Sequence, residues 1–273
     1  MEKINFTSPE LETDTLETLS AKLIQTTAEL SRANLQLLRY QKERNEMLAN
    51  ISHDLRAPIT AIRSTLDLLK SQKEPSEKDM RDALNLIDRR TATLESLIQD
   101  MYFLFTLENP SAALDFEVVD VAPLLEEYFF DCSENPLYAN HKLELELSPS
   151  LSAPVRIDVQ KMLRVLDNLF TNAAKYSGDG TTITLHADLL KDASQLFIEV
   201  KDNGIGIPAD AISHIFDRTY TVSRARTPGK TAGSGLGLCI VQTILEKFGG
   251  TVSCESRENA GCSFQILLPL AAG

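Results

Sequence analysis

The stretch LFIEVKDNGIGIP, Leu196–Pro208, decides the fold class of the second half of the chain. Its apolar residues alternate as in a β-strand with one buried face, and Asp202 falls on that same face. A carboxylate placed there is costly unless it finds hydrogen-bond donors. Gly204 and Gly206 carry no side chain, so the backbone is able to approach a bound ligand closely. A tight turn after a strand often has the same DxGxG pattern, so the motif alone leaves both interpretations open.

Alternating strands and helices surround this stretch, beginning after the boundary segment LENPSAALD, residues 107–115. The patterns predict strands at Phe116–Val119, Lys142–Leu147, Val155–Ile157, Thr182–Leu189, Leu196–Asp202, Thr251–Ser256 and Ser263–Leu268. They predict helices at Val121–Phe130, Val159–Tyr176, Ala209–Ile215 and Gly235–Phe248. Such an order is typical of an α/β sandwich with segregated layers.

The helical stretch LDNLFTNAAKYS, residues 166–177, carries a row of polar side chains on one face. Asn168 and Asn172 are four residues apart, and Lys175 and Tyr176 fall on the same side. The apolar residues take the opposite, core-facing side: Leu166, Leu169, Phe170 and Ala173. An asparagine carbonyl oxygen is a hard ligand of the kind that Mg²⁺ accepts. The alternative is an ordinary polar helix face.

A glycine-rich turn, TAGSGLGLCIVQTIL at residues 231–245, leads directly into an apolar helix. Backbone amides at a helix N-terminus bind phosphate well. The preceding segment, residues 217–230, has one acid and four cations, which are Arg218, Arg224, Arg226 and Lys230. In a chain of net charge −12, this cluster predicts a lid over a triphosphate. An ordinary long loop is the alternative, although loops of this length are usually functional or disordered.

The N-terminal region predicts a long helix, since residues 14–47 contain neither proline nor glycine. Leucine recurs every seventh residue, at Leu16, Leu23, Leu30 and Leu37. The complementary heptad positions are Leu19, Thr26, Ala33, Tyr40 and Met47. This pattern favours a parallel coiled coil, and the alternative is a single amphipathic helix packed on its own domain.

Two apolar-striped helices follow, joined by the polar loop SQKEPSE. The stripe of the first consists of Leu48, Ile51, Leu55, Ile62, Leu66 and Leu69, and that of the second of Met80, Leu84, Ile87, Leu94, Ile98, Met101 and Phe105. An antiparallel hairpin of this kind has too little partner surface of its own. We therefore expect it to dimerise into a four-helix bundle.

Within the first of these helices, SHDLRAPIT at residues 52–60 places a histidine before an acid and a proline. His53 lies about 200° around the helix from Ile51, so its imidazole should face water. Asp54 is able to accept a hydrogen bond from one ring nitrogen, which would fix the tautomer and stabilise positive charge on the ring. Pro58 should bend or loosen the helix nearby. The set suits a nucleophilic histidine, and an idle surface histidine is the alternative.

Composition narrows the class of protein further. The net charge of −12 over 273 residues argues against broad binding to nucleic acid or to anionic membranes. The four cysteines have no metal-type or disulfide-type spacing, so they are expected to be reduced thiols in a cytoplasmic chain. No apolar run approaches the ~20 residues that span a bilayer.

Together these segments resemble the sensor histidine kinases of two-component systems. ISHDLRAPIT resembles the phospho-acceptor box, DNLFTNAAKYS the asparagine box, DNGIGIP and GSGLGL the two glycine boxes, and IFDRTY the phenylalanine box. Five boxes in the family's order are far more specific than any one of them. The resemblance implies an α+β chain: an N-terminal coiled coil over 1–47, a dimerisation and phosphotransfer hairpin over 48–112, and an ATP-binding sandwich of the GHKL type over 113–273.

The resemblance also implies a role for each site residue. His53 would be phosphorylated with Asp54 as base, Asn172 with Asn168 would serve Mg²⁺, and Asp202 would read adenine. The other implied ATP-binding residues are Lys175, Tyr176, Gly204, Gly206, Phe216, Arg218, Lys230, Gly233, Ser234, Gly235, Leu236 and Gly237. The implied partners are a second copy of the chain, the receiver domain of a response regulator, and an upstream sensor domain or sensory partner that lies outside this chain.

Asn168 separates this interpretation from its main rivals. ATPases of the chaperone, gyrase and mismatch-repair kinds place a glutamate base where this chain has Asn168, as do the related serine kinases, so transfer to a histidine is favoured over hydrolysis. A scaffold with an inactive ATP fold is less favoured, because no nucleotide motif is lost.

Many family members have Thr or Asn where this chain has Ala57, which predicts weak phosphatase activity toward the regulator. In IFDRTY, Phe216 and Tyr220 are expected to share the packing of the lid.

Overall fold

The computed structural model describes residues 9–72, 75–109, 114–148, 151–190, 195–218, 220–222 and 235–271, and the chain divides into two compact units after His53. The helices are α1 (Pro9–Ser71), α2 (Glu77–Glu108), α3 (Val121–Glu134), α4 (Val159–Tyr176), α5 (Ala209–Ile212) and α6 (Gly237–Lys247), with a 3₁₀ turn at Pro136–Tyr138. The strands are β1 (Glu117–Asp120), β2 (Lys142–Leu147), β3 (Pro154–Ile157), β4 (Thr182–Leu189), β5 (Gln195–Asp202), β6 (Thr251–Arg257) and β7 (Gly261–Pro269).

The first unit consists of the N-terminal part of α1. Its heptad leucines point into solvent in the single chain, with Leu16 66% exposed, Leu23 70% and Leu30 62%. Burying a leucine side chain contributes about 1.5–3 kcal/mol. A row of exposed leucines on one helix therefore favours association with a second helix. The expected coiled coil stays a prediction, supported by this exposed row.

The second unit begins with the rest of α1, followed by α2. Pro58 lies inside α1 and does not end it, so the predicted loosening does not interrupt the helix. A capping box starts α2, in which the Asp79 amide donates to Ser76 Oγ at 3.1 Å and the Asp79 carboxylate accepts from the Ser76 amide. Three of the seven residues in the stripe expected on α2 are exposed in the single chain, namely Met80, Leu84 and Ile98, and the other four are half-buried. The residues of α2 that are buried are a different set: Ala83, Leu97, Asp100, Leu104 and Leu107.

A five-stranded sheet of order β2-β4-β5-β7-β6 forms one layer of the C-terminal domain. Strand β2 runs parallel to β4, and the remaining neighbours are antiparallel. A separate antiparallel pair, β1 with β3, completes the strands. The inward residues of β5 are almost wholly buried at Leu196, Ile198 and Val200, whereas the residues between them are not. This alternation is the pattern predicted from the sequence.

Helices α4 and α6 pack on the sheet and on each other. The predicted core side of α4 is confirmed, since Leu166, Leu169 and Phe170 are fully buried. The Phe170 ring meets the rings of Tyr128 and Tyr138 edge-on, with centroids 5.2 and 6.1 Å away. This cluster fixes the inner face of α4, so its opposite face is held toward the candidate site.

Most predicted boundaries agree with the structure to within one or two residues. The strands at Lys142–Leu147 and Thr182–Leu189 and the helix at Val159–Tyr176 are confirmed at both ends. Three helices were predicted with wrong ends: α3 runs on to Glu134, α5 stops at Ile212, and α6 begins at Gly237. Gly235 has a φ of 66°, a left-handed conformation, so the helix starts only after it.

Candidate functional site

The site is built on the polar face of α4. Asp158 caps the helix by accepting the Lys161 amide at 3.2 Å, and its other oxygen accepts the Asp115 amide. The cap and the buried opposite face fix the rotation of the helix. Asn168 and Asn172, both half-buried, therefore lie one turn apart along the same row.

Asn168 faces the beginning of α6. Its side-chain amide donates to the Arg164 carbonyl oxygen at 2.8 Å, which fixes the amide group. A Cβ atom added to Gly237 would lie only 2.6 Å from Asn168 Oδ1. Glycine at 237 therefore lets the amide oxygen of Asn168 reach the first turn of α6, which is where the glycine-rich segment ends. Two of the three predicted segments meet at this point.

Asp202 lies at the end of β5 and is 7% exposed. Its Oδ1 accepts the Gly204 amide at 2.8 Å, and its carboxylate also accepts the Cys262 amide. Burial raises the pKa of Asp202, and these two hydrogen bonds oppose the rise. The prediction that Asp202 points to the buried face is confirmed, and part of its donor requirement is met by the chain's own backbone.

The two glycines after Asp202 are required by the protein's own packing. A Cβ at Gly204 would lie 2.8 Å from the Cα of Ser177, just beyond the C-terminal end of α4. A Cβ at Gly206, where φ is 67°, would lie 2.1 Å from the Arg257 carbonyl oxygen. The two glycines were predicted to let the backbone approach a ligand closely. In the structure they also let this loop approach the end of α4 and strand β6 closely. The Ile205 amide adds a hydrogen bond to the Tyr176 carbonyl at 3.3 Å.

Lys175 and Tyr176 close the C-terminal end of the row. The Lys175 ammonium lies 5.2 Å from the centroid of the Tyr176 ring, and desolvation lowers the pKa of this lysine. Tyr176 is 37% exposed, so its ring is available at the surface. The backbone of Tyr176 contacts the loop after Asp202 through the Ile205 amide.

The remaining predicted ATP-binding residues fall into three groups. Leu236 is fully buried, so its side chain is an anchor for the start of α6 and does not face solvent. Phe216 and Arg218, both half-buried, follow α5. The Tyr220 ring lies 5.7 Å from that of His214, and its expected packing with Phe216 stays a prediction. Lys230, Gly233 and Ser234 lie outside the described residues, together with Arg224 and Arg226.

On α1, His53 is exposed, as predicted, and Asp54 is half-buried. Within the described ranges, no group of three or more His, Cys, Asp or Glu side chains is arranged to hold a metal ion. The amide oxygens of Asn168 and Asn172 on α4 stay the predicted metal ligands. They fit Mg²⁺, which needs few protein ligands and keeps substrate oxygens in its shell.

Sequence reasoning missed two features next to the site. Arg164, one turn before Asn168, forms an ion pair with the buried Asp100 of α2 and lies 5.8 Å from the Phe103 ring. The Cys262 amide, which supports Asp202, comes from a strand sixty residues further on. Neither had a local signal, because each depends on which elements pack together.

Comparison with known proteins identifies this arrangement. A family model described as "Histidine kinase-, DNA gyrase B-, and HSP90-like ATPase" matches residues 157–272, and one described as "His Kinase A (phospho-acceptor) domain" matches residues 43–110. The fold and the site thus define an ATP-binding domain of the GHKL type behind a phospho-acceptor hairpin.

Curated relatives narrow the class. The sensor protein kinase WalK of Staphylococcus saprophyticus is 33% identical over 229 residues, which is 84% of this chain and 37% of that protein. A WalK of Staphylococcus aureus is 32% identical, covering 84% of this chain and 54% of that protein. The chain belongs to the sensor histidine kinases, and it spans only about a third to a half of the length of these relatives.

Solved structures share the fold. The histidine kinase ThkA in complex with response regulator protein TrrA aligns with a TM-score of 0.67 at 24% identity, over 83% of this chain and 61% of that chain. The Acinetobacter baumannii histidine kinase AdeS aligns with a TM-score of 0.60 at 24% identity, over 81% and 98%. None of the helices in the described part of the chain combines the length and apolarity that a membrane span requires.

Proposed function

We propose that the chain transfers the γ-phosphoryl group of ATP to His53 and from there to an aspartate of a response regulator. The observation that carries the proposal is the approach of the Asn168 amide oxygen to the first turn of α6, in a chain that also has a phospho-acceptor hairpin. A phosphate bound at the amides of α6 would lie directly beside the α4 row.

The described residues offer a separate contact for each part of the nucleotide. Asp202 would accept a hydrogen bond from the adenine amine, and the Tyr176 ring, which is 37% exposed, would pack beside the base. Lys175 and Arg218 would supply positive charge for the phosphates, and Gly237 leaves room for the Asn168 amide at the helix start. Phosphoryl transfer requires mainly positioning and charge neutralisation, which this set supplies.

Asn172 and Asn168 would hold Mg²⁺, which when bound neutralises phosphate charge and orients the group to be transferred. The position of Asn168 also argues against hydrolysis. An asparagine side chain cannot take a proton from water as a carboxylate does, so the site lacks the base found there in the related ATPases. The imidazole of His53, with Asp54 to accept its proton, is then the nucleophile.

Labelling with γ-phosphate-labelled ATP and Mg²⁺ tests the proposal. We expect acid-labile, base-stable label on the wild type, none on His53→Ala and almost none on Asn172→Ala. His141→Gln is the matched control, because it removes another histidine, and it should label normally. Phosphate released to solution without any protein label would move the chain to the ATPase class.

The proposed active form is a homodimer, joined through the hairpin and the N-terminal coiled coil. The exposed heptad leucines of α1 and the partly exposed stripe of α2 are the surfaces that pairing would cover. Light scattering should give twice the chain mass for the wild type, and a lower mass for Leu23→Asp combined with Leu30→Asp. The domain limits 1–47, 48–112 and 113–273 are proposed on the same basis.

The proposed acceptor of the phosphoryl group is the receiver domain of a response regulator, and the ThkA neighbour is itself a complex with such a protein. We also propose that phosphatase activity toward this partner is weak. Ala57 is exposed on α1 and has no group to orient a water molecule. Rapid loss of phosphate from the regulator in the presence of this chain and ADP would contradict that prediction.

A further inference from the structure

Two cysteines lie side by side at the edge of the sheet. In the β6–β7 ladder, Cys254 is opposite Phe264, and Cys262 is opposite Ser256. Opposite residues share a face of the sheet, and so do residues two apart along a strand, so both thiols project from the same face. Ser256 shares this face, and its Oγ lies 3.1 Å from Cys262 Sγ. The two cysteines are thus diagonal neighbours on one face of the sheet.

The two thiols differ in environment. Cys262 is 9% exposed, while Cys254 is half-buried, so the pair is reached from the Cys254 side. The hydrogen bond from Cys254 lowers the pKa of Cys262, and the same interaction raises the pKa of Cys254. Because the thiolate is the reactive form of cysteine, Cys262 is the better nucleophile of the two.

The Cys262 strand also supports the Asp202 carboxylate. Cys262 pairs with Asp202 in the β5–β7 ladder, and its amide donates to that carboxylate. Ser256 Oγ, 3.1 Å from Cys262 Sγ, accepts the Ile207 amide at 2.8 Å. The Asn259 amide, in the β6–β7 turn, donates to the Ile205 carbonyl oxygen at 2.7 Å. The loop after Asp202 is therefore held by the hairpin that carries both cysteines.

We propose that Cys254 and Cys262 are an oxidation site for peroxide, and that the disulfide they form weakens nucleotide binding at Asp202. The second part of this proposal rests on the proposed function. The Cys262 thiolate attacks the peroxide, whose O–O bond breaks to leave a sulfenic acid and hydroxide, which takes up a proton to give water. The Cys254 thiol then attacks this sulfur, the S–O bond breaks, and a second water leaves.

Closing the bond must move the hairpin. Diagonal residues in an antiparallel pair are about 7–8 Å apart at Cα, whereas a disulfide usually spans about 4.4–6.8 Å. Among the described strands, β6 lies at the edge of the sheet and pairs with β7 alone, so a shift of β6 breaks no second ladder. A shift of β6 displaces the contacts that Ser256 and Asn259 make with the loop after Asp202, whereas β7 stays paired with β5. Displacement of this loop weakens the hydrogen bond proposed between Asp202 and the nucleotide, and loss of one hydrogen bond to a charged group lowers affinity about tenfold or more.

The test compares the reduced and the peroxide-treated full chain by intact mass, by peptide mapping of the disulfide, and by calorimetric titration with ATP and Mg²⁺. We expect treated wild type to lose two hydrogens, to show a Cys254–Cys262 linkage, and to bind ATP about tenfold more weakly or worse, with recovery in dithiothreitol. Cys254→Ser should bind ATP as reduced wild type does and, after peroxide, should gain one oxygen at Cys262 but form no disulfide. Cys132→Ala is the matched control, because it removes a different buried cysteine and should leave the response intact.

The outcomes separate the two levels of the proposal. Failure of reduced wild type to bind ATP would overturn the proposed function, and with it the link from the disulfide to affinity. Normal binding by the reduced chain with no Cys254–Cys262 linkage after peroxide would overturn the oxidation site alone. A linkage that leaves ATP affinity unchanged would overturn the coupling to Asp202.

Discussion

Gly237→Ala is a substitution that separates the proposed ATP site from the stability of the fold. The new Cβ would lie 2.6 Å from Asn168 Oδ1, and contacts under 3.0 Å are essentially never seen for real Cβ atoms. The amide oxygen must therefore retreat by about 0.4 Å to reach 3.0 Å and by about 0.8 Å to reach an ordinary contact of 3.4 Å. The atom in the way is at the end of a side chain, so the amide is able to rotate aside while the backbone stays in place.

The effect on stability is expected to be small. Replacing glycine by alanine in a helix gains up to about 1 kcal/mol. Rotation of the amide sacrifices its hydrogen bond to the Arg164 carbonyl, which costs about 0.5–1.5 kcal/mol. The two terms nearly cancel, so the melting temperature should move by no more than about 2–4 °C.

The effect on autophosphorylation is expected to be large. A misplacement of about 1 Å in a group that positions reactants costs about a hundredfold in rate. The displacement calculated above is somewhat smaller, so we expect a loss of about ten- to a hundredfold. The autophosphorylation rate is measured as the initial rate of label incorporation at saturating ATP. The melting temperature is measured in parallel by circular dichroism.

Gly178→Ala is the matched control, since a Cβ there meets nothing within 4 Å, and it should change neither quantity. On an Asn168→Ala background, Gly237→Ala should cost little further activity, because the displaced amide is already gone. Full activity of Gly237→Ala, or a loss that is just as large on the Asn168→Ala background, would refute the role given to this amide.

Three other substitutions test the fold and the electrostatics of the site. Phe170→Ala removes a fully buried ring and should lower the free energy of unfolding by about 3–5 kcal/mol in urea titrations, and a cost below 1 kcal/mol would show that the aromatic cluster is not the core. Gly206→Ala meets the Arg257 carbonyl oxygen at 2.1 Å from a φ of 67°, so it should lower the melting temperature clearly, unlike Gly237→Ala. Burial raises the pKa of Asp202 above the ordinary value of 3.8, so the folded chain keeps the carboxyl proton of Asp202 to higher pH than the unfolded chain does. Ionisation of this carboxyl group therefore reduces the stability of the wild type as pH rises. The stability of Asp202→Asn relative to wild type should therefore increase from about pH 4 to pH 7. The variant should also bind ATP more weakly than the wild type. A stability difference that does not change with pH would contradict the burial of a charged carboxylate.

The sequence predicted most of the C-terminal domain because its signals are local there. Strand alternation around Val200 and the amphipathic pattern of α4 each follow from a single element, and both are confirmed. The start of α6 was misplaced by two residues, because glycine at 235 adopts a left-handed φ that the glycine-rich pattern could not assign to one position. The apolar stripe of α2 stays a prediction, because the surface expected to cover it belongs to a second copy of the chain.

Side-chain and backbone contacts between strands were not predicted from the sequence. Cys254 and Cys262 become neighbours only through the register of β6 on β7, and a shift of that register by one residue would turn one thiol to the other face. The same holds for the Cys262 amide on Asp202, which needs β7 to lie beside β5. Spacing along the chain carries no information about either contact.

The glycines of the two glycine boxes are required for different reasons, although the two sequence motifs are similar. At Gly204, the space that a side chain would fill is taken by Cα and Cβ of Ser177, just after α4. At Gly206, it is taken by the Arg257 carbonyl group of β6. These atoms cannot move independently of the fold. At Gly237 it is taken by the end of one side chain, Asn168, which the proposed function assigns to Mg²⁺. The first box thus holds the domain together around Asp202, whereas the second keeps a ligand-binding group in position. Loss of activity with retained stability is therefore expected at the second box, and loss of both at the first.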